Sequence, residues 1–217
     1  MIEPIVTVRG EATREVAPEL ATVSASVSAS GATTELVTAD LAAGSERLVT
    51  VVERFAAAVE RSSSSGLYVH PVTDRRNATK ITGYRGTFSA QIVVHDFAQL
   101  SDLVLALSAL PRAELSGPWW SLRPDAAAYR DVRLDAIADG RRRADDYAAA
   151  FGARVADLLE ISDADGGFDR PMARGMAFAA SAQGGGPEAS FDFEPQPQTV
   201  SGQVTLRFTM TSPTLEG

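Results

Sequence analysis

Strict two-residue alternation runs through several long segments of this chain, and it constrains the fold more than any other feature. In residues 20–30, Val23, Ala25, Val27 and Ala29 fall on one side of an extended backbone, and Thr22, Ser24, Ser26 and Ser28 fall on the other. In residues 80–95, Tyr84, Phe88, Ala90, Ile92 and Val94 oppose Thr87, Ser89, Gln91 and His95. Near the C-terminus, Val204, Leu206, Phe208 and Met210 alternate with Gln203, Thr205, Arg207 and Thr209. A side-chain period of two is that of a β-strand with one buried face. A polar second face in at least three strands means that helices cover only the first.

The remaining segments fill in the order of elements. Residues 5–12 read as a strand that turns near Pro18 into the strand at 20–30. Thr33 or Thr34 caps a helix predicted to reach about Arg61, with Leu41, Leu48, Val51, Val52, Phe55 and Val59 as its apolar stripe. Such a helix is roughly 40 Å long, and the tract Ser62, Ser63, Ser64, Ser65, Gly66 is expected to stop it. A strand at 67–73 and a turn containing Asp74 and Asn77 lead into the strand at 80–95.

A short helix follows at 97–109, turning Phe97, Leu100, Leu103, Val104 and Leu107 inward. Residues 113–123 read as a strand, Pro124 and Asp125 open a helix to Phe151 with Gly152 as stop signal, and 153–162 read as a strand. The stretch 163–198, rich in Gly, Ala and Pro, cannot hold regular structure at Gly184, Gly185, Gly186 and Pro187. It is read as a flexible surface excursion. The chain is therefore expected to be an α+β fold: an antiparallel or mixed sheet of long strands, with two long helices and one short helix packed on one face. The return of a strongly patterned final strand favours a single domain over 1–217.

Composition narrows the function. With 28 acidic residues against 20 basic ones, the net charge is -8, which disfavours nucleic acid and anionic membranes, since both recruit basic surfaces. No cysteine is present, which rules out disulfides, thiolate nucleophiles and thiolate metal sites. No run of about 18 apolar residues predicts membrane insertion. The chain opens directly on a strand, without a basic and apolar leader, so it is read as cytoplasmic; a secreted chain whose leader had been removed opens in the same way.

In order and spacing these segments resemble the SIMPL-domain family. The matching pieces are Val6, Thr7, Val8, Arg9 and Gly10 with Ala12; Ala17 to Ala21 ahead of the alternating strand; and Ile81 to Tyr84 opening a strand that ends in Val93, Val94, His95 and Asp96. A helix with Ala136, Gly140, Ala144 and Ala148 runs into Phe151 and Gly152, followed by Leu158 to Ile161, and Val200 to Phe208 close the pattern. Two departures stand out: Gly140 occupies a position where the family usually has alanine, and the leader of the secreted members is missing. The resemblance carries no catalytic residues. It implies self-assembly into homo-oligomers, association with a signalling kinase in the animal member, and a loose tie to bacterial stress responses.

Candidate chemistry is sparse. His70 and His95 lie either side of a turn, and a hairpin bringing them together still lacks carboxylates at ligand spacing. Asp163 and Asp165 begin like a calcium loop, yet Gly167, Phe168 and Arg174 stand at the template's fifth, sixth and twelfth positions. Arg141, Arg142 and Arg143 are flanked by Asp135, Asp139, Asp145 and Asp146, as on an ion-paired helix face. No Gly-x-Ser-x-Gly elbow occurs. These readings favour a non-enzymatic protein without metal or cofactor.

Two features point to association instead. The outward strand residues are mostly uncharged, with Ser24, Ser26, Ser28, Ser89, Gln91 and Thr205 as interface candidates. In a strand over 113–123, Trp119 and Trp120 face opposite sides; Trp120 with Leu122 takes the core and leaves Trp119 on the open face, where aromatics anchor interfaces. A homo-oligomer is the expected partner arrangement. The alternative is a small-molecule binder or hydrolase with a pocket under the 163–198 loop, lidded by Phe168, Met172, Met176, Phe178 and Phe191.

Overall fold

A computed structural model describes residues 3–74, 79–163 and 191–214. The strands are β1 (Ile5–Val16), β2 (Leu20–Gly31), β3 (Val59–Thr73), β4 (Ile81–Val94), β5 (Ala113–Ser121), β6 (Val155–Ser162) and β7 (Gln198–Met210). The helices are α1 (Thr34–Arg54), α2 (Leu100–Ser108) and α3 (Ala127–Ala150). All strand pairings are antiparallel, so the fold is α+β.

The strands divide into two sheets, β3-β4-β2-β5 and β1-β7-β6, where the alternation alone suggested one. The reason is that a period of two fixes which face of a strand is buried and leaves its neighbour open. β1 and β2 follow one another across Pro18 but do not pair; β1 pairs along its whole length with β7. Two compact units result, one built on β2, α1, β3, β4, α2 and β5, the other on β1, α3, β6 and β7.

In the four-stranded unit, Val23, Ala25 and Val27 of β2 and Ala90, Ile92 and Val94 of β4 form the floor of the core. Leu48, Val51 and Val52 of α1 and Leu100, Leu103 and Leu107 of α2 pack on it. α1 is capped by Thr33, whose hydroxyl accepts the Leu36 N–H at 3.4 Å. The helix ends at Arg54, making it about 31 Å long rather than 40 Å. The serine tract does not stop it. Ser62 to Gly66 belong to β3, which pairs with β4 from Val59 to Thr73. Serine is a weak strand former, but ladder bonds to β4 satisfy the backbone while the edge position leaves the hydroxyls in water. The turn residues 75–78, Asn77 among them, lie outside the described residues.

In the three-stranded unit, Val6 and Val8 of β1 and Val204, Leu206 and Phe208 of β7 pack with Ala136 and Ala144 of α3. Here the helix touches the sheet backbone to backbone: a Cβ on Gly10 would lie 2.0 Å from the Ala136 carbonyl oxygen and 2.6 Å from the Gly140 nitrogen. Gly140 shares in this approach: a Cβ there would lie 2.8 Å from the end of the Leu206 side chain and 3.2 Å from the Gly10 Cα. Asp139, only 9% exposed, accepts the Glu11 N–H at 3.1 Å and pairs with Arg142 and Arg143. Arg14 of β1 reaches Asp135 at 2.5 Å and Asp131 at 3.4 Å.

Candidate functional site

The helices of the four-stranded unit lie on one side of its sheet, against Val23, Ala25, Ile92 and Val94. Directly opposed residues in antiparallel strands share a face, so the pairing register defines the other side row by row. Thr22 lies between Val93 of β4 and Trp119 of β5; Ser24 between Gln91 and Ser116; Ser26 between Ser89 and Glu114. Ser28 faces Thr87. β3 extends the rows with Ser63 opposite Gln91, Gly66 opposite Ser89 and Tyr68 opposite Thr87. Neighbours within a row are about 4.8 Å apart and successive rows about 7 Å apart. The result is a near-regular lattice of hydroxyls and an amide, in which Glu114 of β5 and Arg61 of β3, opposite Val93 in the Thr22 row, are the charges.

One end of the lattice is apolar. Trp119 is 47% exposed. Its neighbour Trp120 turns inward and meets Phe97 edge-on at 4.8 Å between ring centres, as the strand reading required. Leu122, expected beside Trp120, packs instead with Ala126, Val132 and Val200 in the three-stranded unit. A bulge places Trp119: three steps from Ser116 to Trp119 on β5 oppose two steps from Ser24 to Thr22 on β2. Without that extra residue the serine and the indole would face opposite sides. Gly117 sits in the bulge at φ +107, where a side chain would meet the Thr22 carbonyl at 2.7 Å.

Six of the interface candidates, Trp119, Ser24, Ser26, Ser28, Ser89 and Gln91, therefore share one face of one sheet. Thr205 lies on β7, opposite Arg9 and Ser162, in the other sheet. The sequence reading did not find Ser63, Tyr68, Ser116 or Glu114. Ser63 was hidden by treating the serine tract as a helix stop, Tyr68 because the strand at 67–73 was given no partner, and the last two by the bulge.

The hairpin separates the two histidines rather than joining them. His70 pairs with Arg85, whereas the His95 N–H bonds the Ala58 carbonyl at 3.0 Å. That is a distance of ten positions along β4, about 33 Å. Among the described residues no group of three His, Asp or Glu side chains is placed to hold a metal ion. Asp165, Gly167, Phe168 and Arg174 of the calcium-like stretch lie outside the described residues. No helix among the described residues is long and apolar enough to cross a membrane.

The SIMPL family, described as a protein of unknown function (DUF541), matches residues 6–208. The chain belongs to this family. No curated protein matches it. Among solved structures, an amidohydrolase/peptidase from Burkholderia cenocepacia is similar at 18% identity over 63% of this chain and 35% of its own, with a TM-score of 0.29. A hydantoinase/carbamoylase family amidase from Burkholderia ambifaria gives 18% identity, 61% and 34% coverage and a TM-score of 0.29. An unknown protein from Galdieria sulphuraria gives 12% identity, 88% and 84% coverage and a TM-score of 0.22. The chain spans about a third of the length of the two Burkholderia proteins.

Proposed function

We propose that this SIMPL-family chain is a non-enzymatic, self-associating domain whose subunits meet through the hydroxyl-lined face of the four-stranded sheet. The observation that carries the reading is the lattice itself: four strands present Ser, Thr and Gln in register, with an exposed indole at one end. Hydroxyls lose less on leaving water than ammonium or carboxylate groups do, and matching rows on a second copy can satisfy them. A two-fold contact would place the same face on both subunits. Trp119 would supply the large apolar contact that such a polar interface needs.

The family match spans both compact units, and we take them as one domain. Solution mass tests the assembly. The expected result is a species well above 22.9 kDa at micromolar concentration, and a monomer there would overturn the reading.

A further inference from the structure

We propose that the four-stranded unit carries, on its helix-covered side, a binding site for a small uncharged aromatic molecule. A crevice of about 280 Å³ opens between α2 and the β2–β5 ladder. Val23, Ala113 and Leu115 of the strands and Val104 of α2 line its interior. Phe191 and Phe193 form its rim, their rings stacked with centres 5.8 Å apart and planes 24° from parallel. The Ser101 hydroxyl donates to the Phe191 carbonyl and ties this rim to the start of α2. Phe191 is thus the one residue of the expected apolar lid that can be placed; Phe168, Met172, Met176 and Phe178 lie outside the described residues.

Size, lining and charge together select the occupant. The crevice opens to solvent at Ser108, so its volume is that of a surface groove. A cavity of about 150 Å³ holds benzene, so this one takes a substituted ring or a fused bicycle. Water is a poor occupant because it needs several polar partners. Of the two serines along the crevice, Ser116 directs its side chain to the opposite face with Ser24, and Ser108 already donates to the Leu105 carbonyl at 2.8 Å. Among the described residues no ionisable side chain lines the crevice, so a charged ring would meet no counter-charge from them. The paired phenyl rims favour a planar aromatic, which can stack or meet them edge-on at ordinary ring distances.

Titration calorimetry on the full chain with indole as probe tests the site. Saturable one-to-one binding is expected, with a rise of about 2–4 °C in Tm at roughly ten-fold excess over Kd. Benzamidine, a ring of similar size with an obligatory charge, should bind at least about ten-fold more weakly; equal binding would overturn the assignment of an uncharged ligand. Val104→Phe, which fills the interior, should weaken indole binding by at least about ten-fold. Should that variant not fold, Ser108→Phe at the exposed mouth should do the same. Absence of saturable indole binding, or folded blocking variants that bind like the parent, would overturn the site.

Discussion

The outer faces of the two sheets are built from different chemistry. The strand side away from α3 carries Arg9, Glu11, Arg207 and Glu160, joined by Arg9–Glu11 at 3.3 Å, Gln203–Glu11 at 2.9 Å and Arg207–Glu160 at 3.9 Å. The corresponding side of the four-stranded sheet carries Thr22, Ser24, Ser26, Ser89 and Gln91 in adjoining rows. Exposed ion pairs contribute little to stability but are expensive to dehydrate, so the first face is suited to water. Hydroxyl rows can be covered at lower cost. The buried sides differ as well. α3 meets β1 through Gly10 and Gly140, whereas α1 and α2 rest on branched side chains such as Val27, Val23 and Ile92. One helix is held by backbone proximity and two by side-chain volume.

The largest test of that difference is Gly10→Val. The added side chain collides with the α3 backbone, and destabilisation of at least about 3 kcal/mol is expected in chemical denaturation. Ser26→Val, on the open side of the other sheet, should stay within about 0.5 kcal/mol. Equal effects would erase the contrast between backbone and side-chain packing.

Next in size is the response of the assembly to charge. Ser26→Lys places an ammonium group in the middle of the lattice and should raise the dissociation constant at least about ten-fold, read by light scattering. Thr205→Lys, set among existing charges, should have a smaller effect. A larger loss at Thr205 would move the proposed contact to the three-stranded sheet. Trp119→Ala should weaken assembly by about ten-fold with Tm nearly unchanged, since the indole contributes contact area at the surface rather than core packing.

The smallest expected effect is electrostatic. The hydrogen bond from Arg14 holds the Asp135 carboxyl below its ordinary range. A group depressed in the folded state stabilises above its unfolded pKa and loses that contribution as pH falls through the folded value. Acid titration of stability, from about neutral to about pH 3, should therefore show a slightly shallower loss in Arg14→Gln. Both side chains are exposed, so the change should be small and further reduced by salt.

Much of this contrast could be read from residue order. Alternation placed Val23, Ala25 and Ser24, Ser26 on the correct sides of β2, the pair Thr33 and Thr34 marked the start of α1, and the adjacency of Trp119 and Trp120 divided them between surface and core. What residue order did not show depends on pairing over long distance. Serine has little intrinsic preference for a strand, so the first half of β3, ahead of the strand expected at 67–73, becomes visible only once β4 supplies its ladder. The contact of Gly10 with Gly140 depends on how α3 lies across β1, which no local pattern encodes. The bulge at Gly117 changes the parity of β5 by one residue, and with it the side on which Ser116 and Glu114 appear.

The pairing of β1 with β7 also sets a clock for synthesis. Ile5 waits for Thr209 and Val16 for Gln198, so at about 5–20 residues per second the first strand leaves the ribosome roughly ten to forty seconds before its partner. During that interval Val6 and Val8 have no sheet to join, and a nascent chain stalled short of β7 would present them to chaperones or to neighbouring chains.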